Sequence, residues 1–446
     1  MNFITDDIRM LYRKLLIPSL TGAVVMSIYS FVDTIAVGQS EGAAGAAAMA
    51  VIAPVYGLMV FLGLLCGIGG SVMMSVARGQ GKTEKGDACF AGSVLLVCIL
   101  TGIAWLAFAV FREPIFYFFG ANDEILSKTV EYGRWIIGFM PVFVFTMFIA
   151  AFIRNDGAPK LVMTAVVTGG CINIFGDWFL VFPMKMGMTG AAVATVIGTS
   201  VQAVIMISYF FRKECHLRMA RPRHLLRGFR RVLQIGIGAS LLDLGTIVIG
   251  ILMNRQILNY GGTTDLAVFG VIATILSLFQ ALFCGVGQAI QPLVSSNYGA
   301  GQKERYEKVW QYSLITVMVM GVFFCLLGES MPVAITKLFV SDAPDVFQAA
   351  PLAFKLFFPV FLFLGIVVDA DYYLQSVMKE KNAITIGLMH CAILSGLLCM
   401  ALPALFGMTG VWMALPLADM LTALAGIVYV KKSKKSLTLT SRHRLQ

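Results

Sequence analysis

The chain is 446 residues long, 58% hydrophobic and only 13% charged. Soluble domains carry about 25% charged residues. This composition, with a mean hydropathy of +0.83, excludes a disordered chain, a disulfide scaffold and a coiled coil, and points to a polytopic membrane protein. The 34 Lys and Arg against 24 Asp and Glu would suggest nucleic acid in a soluble protein. Here no soluble surface is left to carry such a partner, and basic loops retained in the cytoplasm account for the excess.

Apolar runs predict twelve helices, over 15–37, 44–77, 88–111, 130–153, 161–183, 188–211, 232–254, 266–296, 309–328, 349–378, 383–405 and 410–430. The first follows Arg9, Arg13 and Lys14 and has the outline of a signal peptide. It is too long for a signal core and contains Asp33, so a retained first helix is expected. Glycines at 79–81, 157 and 299–301 punctuate the runs. Pro18, Pro54, Pro141, Pro292, Pro359 and Pro416 fall inside them, where a ring that cannot donate to the helix ladder bends it.

Loop charges give the orientation. Nearly all Lys and Arg outside the helices lie on one side: Arg9, Arg13 and Lys14; Arg78, Lys82 and Lys85; Arg154 and Lys160; the basic stretch from Arg212 to Arg231; Lys303, Arg305 and Lys308; Lys379 and Lys381; and the tail from Lys431. The other side has only Arg112, Lys128, Lys185, Arg255 and Lys337. Both termini are expected in the cytoplasm, in a plasma (inner) membrane. The stretch 212–231 reads as a topology anchor and linker rather than a nuclear-localisation or lipid-binding patch. Most of the nine cysteines fall in apolar runs with no CxxC or Cys/His cluster, so neither a bound metal nor disulfides are expected. No Walker, H-E-x-x-H or G-x-S-x-G motif is present, so the chain is not read as an ATPase or hydrolase.

The halves repeat. Cys66-Gly67-Ile68-Gly69 returns as Cys284-Gly285-Val286-Gly287, 218 residues later, and Gly79-x-Gly81 as Gly299-x-Gly301, 220 later. Gly187-Met188-Thr189-Gly190 returns unchanged as Gly407-Met408-Thr409-Gly410, and Cys171 and Pro183 match Cys391 and Pro403 at the same shift of 220. Ordered matches at one offset indicate duplication. The expected fold is an all-α membrane protein of twelve transmembrane helices. They form two six-helix lobes, 1–220 and 221–446, related by a pseudo-two-fold axis along the membrane normal. That arrangement suits alternating access.

Ionisable residues at membrane depth are candidate sites. They are Asp33, Asp177, Asp243, Asp369, Asp371 and Asp419, with His390 and Lys355 weaker. Asn173 and Asp177 are one helical turn apart and share a face. Tyr29 lies one turn before Asp33, and Thr195 is on the next helix. Together these side chains make an all-oxygen set suited to Na⁺, or to a proton shared by two acids. At the 220 shift Asp33, Asn173, Asp177 and Thr195 become Met253, Ile393, Leu397 and Leu415, so the set belongs to the first half alone. Asp243, Asp371 and Gln288 are candidates for a substrate or secondary site. Against this stands the plain alternative, that each acid is a satisfied polar group at a bend. Gly63-x-x-x-Gly67 and the Ala/Gly stretch 42–50 permit close helix packing. The 25 Met and 33 Phe offer an adaptable apolar lining, though most are expected to face lipid.

Ile17-Pro18, then Tyr29-Ser30-Phe31-Val32-Asp33-Thr34-Ile35-Ala36-Val37-Gly38, resembles helix 1 of the multidrug and toxic compound extrusion (MATE) transporters. Asn173-Ile174-Phe175-Gly176-Asp177 with Gly190-Ala191-Ala192-Val193-Ala194-Thr195 resembles their helices 5 and 6, and Gln291-Pro292 with Asn297-Tyr298-Gly299-Ala300 the exit of helix 8. The resemblance implies secondary active efflux of small amphipathic, mainly cationic compounds by antiport against H⁺ or Na⁺. It implies no cofactor, and a protein that works as a monomer. It further implies a cation-coupling site at Asp33, Asn173, Asp177 and Thr195, to which Tyr29 adds an oxygen by its spacing, and a bend in helix 1 at Pro18. Gly238 departs from the proline with which the family often opens helix 7. Two other readings stand beside this one: a lipid or glycolipid flippase of related architecture, and an intramembrane enzyme.

Overall fold

Water is absent from a bilayer core, so a spanning chain must satisfy its own backbone; helices do so within one segment. In the structure, a computed structural model, all regular structure among the described residues is helical. Described are residues 1–222, 224–339 and 343–442, without the side chains of 43, 243, 244 and 435–442. Candidate Asp243 therefore lies outside the described side chains.

Helix α1 (Ile8–Gly42) starts where Asp7 accepts a hydrogen bond from the Met10 amide at 2.8 Å, an N-cap that begins the helix seven residues before its apolar run. It stops at Gly42, whose φ of 64° and ψ of −153° separate it from α2 (Ala44–Gly79). Next come α3 (Thr83–Val110) and a short helix, Arg112–Phe118. The fourth span, α4, is two segments, Asp123–Gly138 and Met140–Asn155, meeting at 51°. Then follow α5 (Pro159–Val181), α6 (Gly187–Phe211), α7 (Leu225–Tyr260), α8 (Thr263–Gly299) and α9 (Lys303–Ser330). After the short Pro332–Lys337 comes α10, again two segments, Pro344–Phe357 and Val360–Ser376, at 45°. The final helical stretch, Glu380–Lys434, has 55 residues. At 1.5 Å per residue it is about 80 Å long, enough for two crossings. It breaks at Gly407, with φ 57° and ψ −138°, into α11 (380–406) and α12 (408–434). Among the described residues this gives twelve spans in a multi-pass membrane protein.

Two of the prolines read as lying inside helices do not. Pro141 sits at the start of Met140–Asn155 and Pro359 caps Val360–Ser376, so they mark the breaks in α4 and α10. Pro18 and Pro54 are inside α1 and α2, Pro292 inside α8 and Pro416 inside α12.

The repeat is visible in the turns. Gly187 and Gly407, which open the identical tetrapeptides, both have positive φ, 50° and 57°; Gly81 and Gly301 have 75° and 73°. Side chains other than glycine strain at these angles, which is why both copies keep the residue.

The chain forms two compact units: Met1–Gly236 with Ser295–Gln302, and Ile237–Val294 with Lys303–Gln446. In the first, small residues let helices touch. A Cβ on Gly67 would lie 3.0 Å from the Phe148 carbonyl oxygen, which accounts for the Gly63-x-x-x-Gly67 spacing against α4. Gly169 and Gly198 lie back to back, each Cβ position within 2.6 Å of the other's carbonyl oxygen, and so fix where α5 crosses α6. In the second unit Gly245 of α7 lies against Cys391 of α11, and Gly321 of α9 against the Phe361 carbonyl of α10.

Candidate functional site

The Gly169–Gly198 crossing brings the next turns of α5 and α6 together. Asn173 Nδ2 donates to Thr195 Oγ1 at 3.1 Å, and Thr195 donates to the Ala191 carbonyl at 3.1 Å. One turn beyond Asn173, α5 widens into a π-helical turn, Asp177–Val181. Such turns recur at functional sites because they leave backbone groups outside the regular ladder. Asp177, which opens it, is fully buried. Asp33 is buried too, on α1, and the charges of the two carboxylates act on each other. The Tyr29 ring packs over Gly170, and its hydroxyl meets the Gln202 side chain of α6.

Asp33 Oδ2 accepts a hydrogen bond from Tyr132 of α4 at 2.8 Å, and Tyr132 is 3.2 Å from the Tyr56 hydroxyl of α2. Four buried oxygens remain without a hydrogen-bond partner: Asp33 Oδ1, Asn173 Oδ1 and both carboxylate oxygens of Asp177. Buried polar atoms are nearly always satisfied, and leaving one unpaired costs about 1–3 kcal/mol. These four lie around the two acids; in the second unit Asp369 Oδ1, Asp371 Oδ1 and Gln375 Oε1 are likewise without a partner. Among the described residues no three His, Cys, Asp or Glu side chains converge as a metal centre would require.

The structure thus gathers Asp33, Asn173, Asp177, Thr195 and Tyr29 in the first unit, with Pro18 buried lower on α1. Tyr132, Tyr56 and Gln202 were not anticipated. Tyrosine is common at membrane depth, and these residues lie far along the chain from their partners. Of the other candidates, Asp371 accepts from Gln375 one turn on and packs against Gly238. Asp369 accepts from Ser313 of α9 at 2.8 Å, and Gln288 is half-buried on α8. His390 Nδ1 and Asp419 Oδ1 are 2.6 Å apart, joining α11 to α12.

Comparison with known proteins accounts for both the repeat and the fold. The MatE family model matches the chain twice, over residues 18–179 and 240–401. Multidrug export protein MepA of Staphylococcus aureus (strain MSSA476) is 24% identical over 434 residues, covering 96% of this chain and 95% of that protein. A crystal structure of MATE in complex with MaL6 shares the fold with a TM-score of 0.91 at 20% identity, over 98% of both chains. The outward-facing structure of a multidrug resistance MATE family transporter of the MOP superfamily gives 0.90 at 20% identity, over 97% of both. Matched by the family model over most of its length, once in each half, the chain belongs to the MatE family.

Proposed function

We propose that the protein is a secondary active multidrug exporter, working by antiport of amphipathic organic cations against an inward ion gradient. The observation that carries this reading is the set of four unpaired buried oxygens around Asp33 and Asp177. Two carboxylates in low dielectric cannot both stay charged cheaply. A proton on one of them, or a Na⁺ ion among the four oxygens, removes the repulsion and satisfies the orphans. An ion bound there and a cationic drug held by the same acids disfavour each other, and reciprocity makes the drug expel the ion as well.

Helix α1 carries Asp33 about four turns beyond Pro18, both within the helix. The proline leaves a carbonyl of the first turns without its ladder bond, so α1 can change its bend at low cost when the charge at Asp33 is neutralised. The halves 1–220 and 221–446 act as the two bodies of an alternating-access cycle, with both termini and the 212–231 stretch in the cytoplasm. The excess of buried acids over buried bases favours a cationic substrate.

The test is ethidium transport by purified protein in proteoliposomes, with a pH gradient or a Na⁺ gradient imposed separately. Accelerated movement under one gradient, lost in Asp33→Asn, supports the reading and names the ion. Gradient-independent scrambling of a fluorescent phospholipid without ethidium movement replaces it with the flippase reading.

A further inference from the structure

The second unit has a buried polar cluster that the reading above does not use. His390 and Asp419, 2.6 Å apart, have side chains only 5% and 2% exposed. Nearby, Gln280 Nε2 of α8 donates to Thr246 Oγ1 of α7 at 3.1 Å. These four side chains line one cavity, otherwise walled by aliphatic residues, with about 20 Å³ in which the centre of a water can move. That is room for one water, and a water needs polar partners of this kind. The cluster is deep. His390 is about ten residues into α11 and Asp419 about twelve past Gly407, so both sit roughly 15–18 Å along their helices, near the middle of a hydrocarbon layer about 30 Å thick.

The backbone is shaped around it. Met389–Ile393 forms a π-helical turn in α11, and Ser395 donates to the His390 carbonyl. In each unit, then, a π turn carries a buried ionisable residue: Asp177 in the first and His390 in the second. At the 220 shift Asp177 corresponds to Leu397, seven residues after His390, which is exposed where His390 is buried. His390 and Asp419 themselves correspond to Gly170 and Thr199. The pair is not an inherited copy of the first site.

A permanent ion pair at this depth gains little, because desolvation offsets attraction. A histidine–carboxylate pair beside a hydratable cavity has another use. With the imidazole neutral and the carboxylate ionised, the pair carries one negative charge. One added proton gives a net-neutral pair with the hydrogen bond intact. We propose that His390 and Asp419 are a reversible proton-binding dyad in the second half, with water in the cavity linking it to Thr246 and Gln280.

Among the described side chains, Asp419 is the charged group that acts on His390. From α8 the dyad meets Gln280 and Leu276, and from α10 Val360 and Leu364; the α10 acids Asp369 and Asp371 are engaged with Ser313 and Gln375. From α7 it meets Thr246 and Ile249, with Asp243 one turn before Thr246. The thiol of Cys391 is next to His390 on α11. A role of the dyad in transport rests on the exporter reading; its existence as a proton site does not.

The chain has four histidines. Replacing His216, His224 and His443 by Gln leaves His390 as the one imidazole. The full-length protein, ¹⁵N-histidine labelled, carrying no histidine tag and placed in nanodiscs, would be followed by NMR from pH 5 to 9. The expected result is one imidazole that changes reversibly between neutral and charged forms, with a transition moved at least tenfold in proton concentration by Asp419→Asn. An imidazole that keeps one form across the whole range overturns the proposal, as does a transition that Asp419→Asn leaves in place. Should Asp419→Asn fail to fold, Thr246→Val and Gln280→Leu in the same background read the cavity's part, and an unmoved transition in both overturns it equally. Neither result depends on whether ethidium is transported.

Discussion

Tyr132 donates its phenolic hydrogen to Asp33 at 2.8 Å, joining α4 to α1 across 99 residues of chain. It is the hydrogen-bond donor to a carboxylate whose other oxygen has none. Tyr132→Phe removes that bond and keeps the ring. A hydrogen bond to a charged group contributes about 1.5–3 kcal/mol, so ethidium efflux should slow about tenfold or more in protein that still elutes as a single species. Tyr56→Phe, one bond further out at 3.2 Å, should slow it only a few-fold. Equal effects from the two would show that the chain of hydroxyls does not order Asp33.

Asp33→Asn and Asp177→Asn should each abolish gradient-driven transport and leave folding nearly intact, because an amide imitates the protonated acid in shape and charge. Asp371→Asn should be milder, since among the described side chains no second carboxylate acts on Asp371 as Asp33 does on Asp177. Near wild-type rates in both first-half variants, measured in proteoliposomes under an imposed gradient, would remove the coupling role from these acids.

The loop charges predict cytoplasmic termini and a cytoplasmic 212–231 stretch. Reporter fusions truncated after Lys213 and after Lys435 should both give a cytoplasmic signal. A signal from the outer side at either position contradicts this orientation.

At the start of the basic stretch Asp156 is a hub. Its carboxylate accepts from Arg78 at 2.6 Å, from the Tyr209 hydroxyl at 2.7 Å and from the His216 amide at 2.8 Å, and its side chain is 1% exposed. Arg78 reaches on to Asp87 at 3.0 Å. Breaking a buried, hydrogen-bonded pair costs about 3–5 kcal/mol. Arg78 keeps some exposure, so Asp156→Asn should cost nearer 2–3 kcal/mol and lower the melting temperature in detergent by several degrees. An unchanged melting temperature would mean that the loop stretch is not tied to the helices through this residue.

The spans were legible because apolar runs of membrane length report directly on burial in lipid. Their ends were not: α1 begins at Ile8 and α7 runs from Leu225 to Tyr260, since charged residues extend helices past the hydrocarbon. The set Asp33, Asn173, Asp177 and Thr195 was legible through one-turn spacing, its restriction to one repeat and the family resemblance. Tyr132 was not, because nothing in sequence distinguishes a tyrosine aimed at an acid from one at a lipid interface. His390 and Asp419 were each visible as polar residues in apolar runs. Their pairing was hidden, because α11 departs from the α-helical period at Met389–Ile393, and any face computed through that turn is misplaced.

That wide turn also has a genealogical consequence. A π turn holds one residue more than the α-helical path between the same ends, as a single-residue insertion that leaves the flanks undisturbed would produce. Relatives without a histidine at this place should often be one residue shorter between Glu380 and Leu394. Deleting one residue from 389–393 here should return α11 to an unbroken helix and change which residue meets Gly245, a contact that Cys391 makes now. Chain length, as much as side-chain identity, would then record which relatives carry the second cluster.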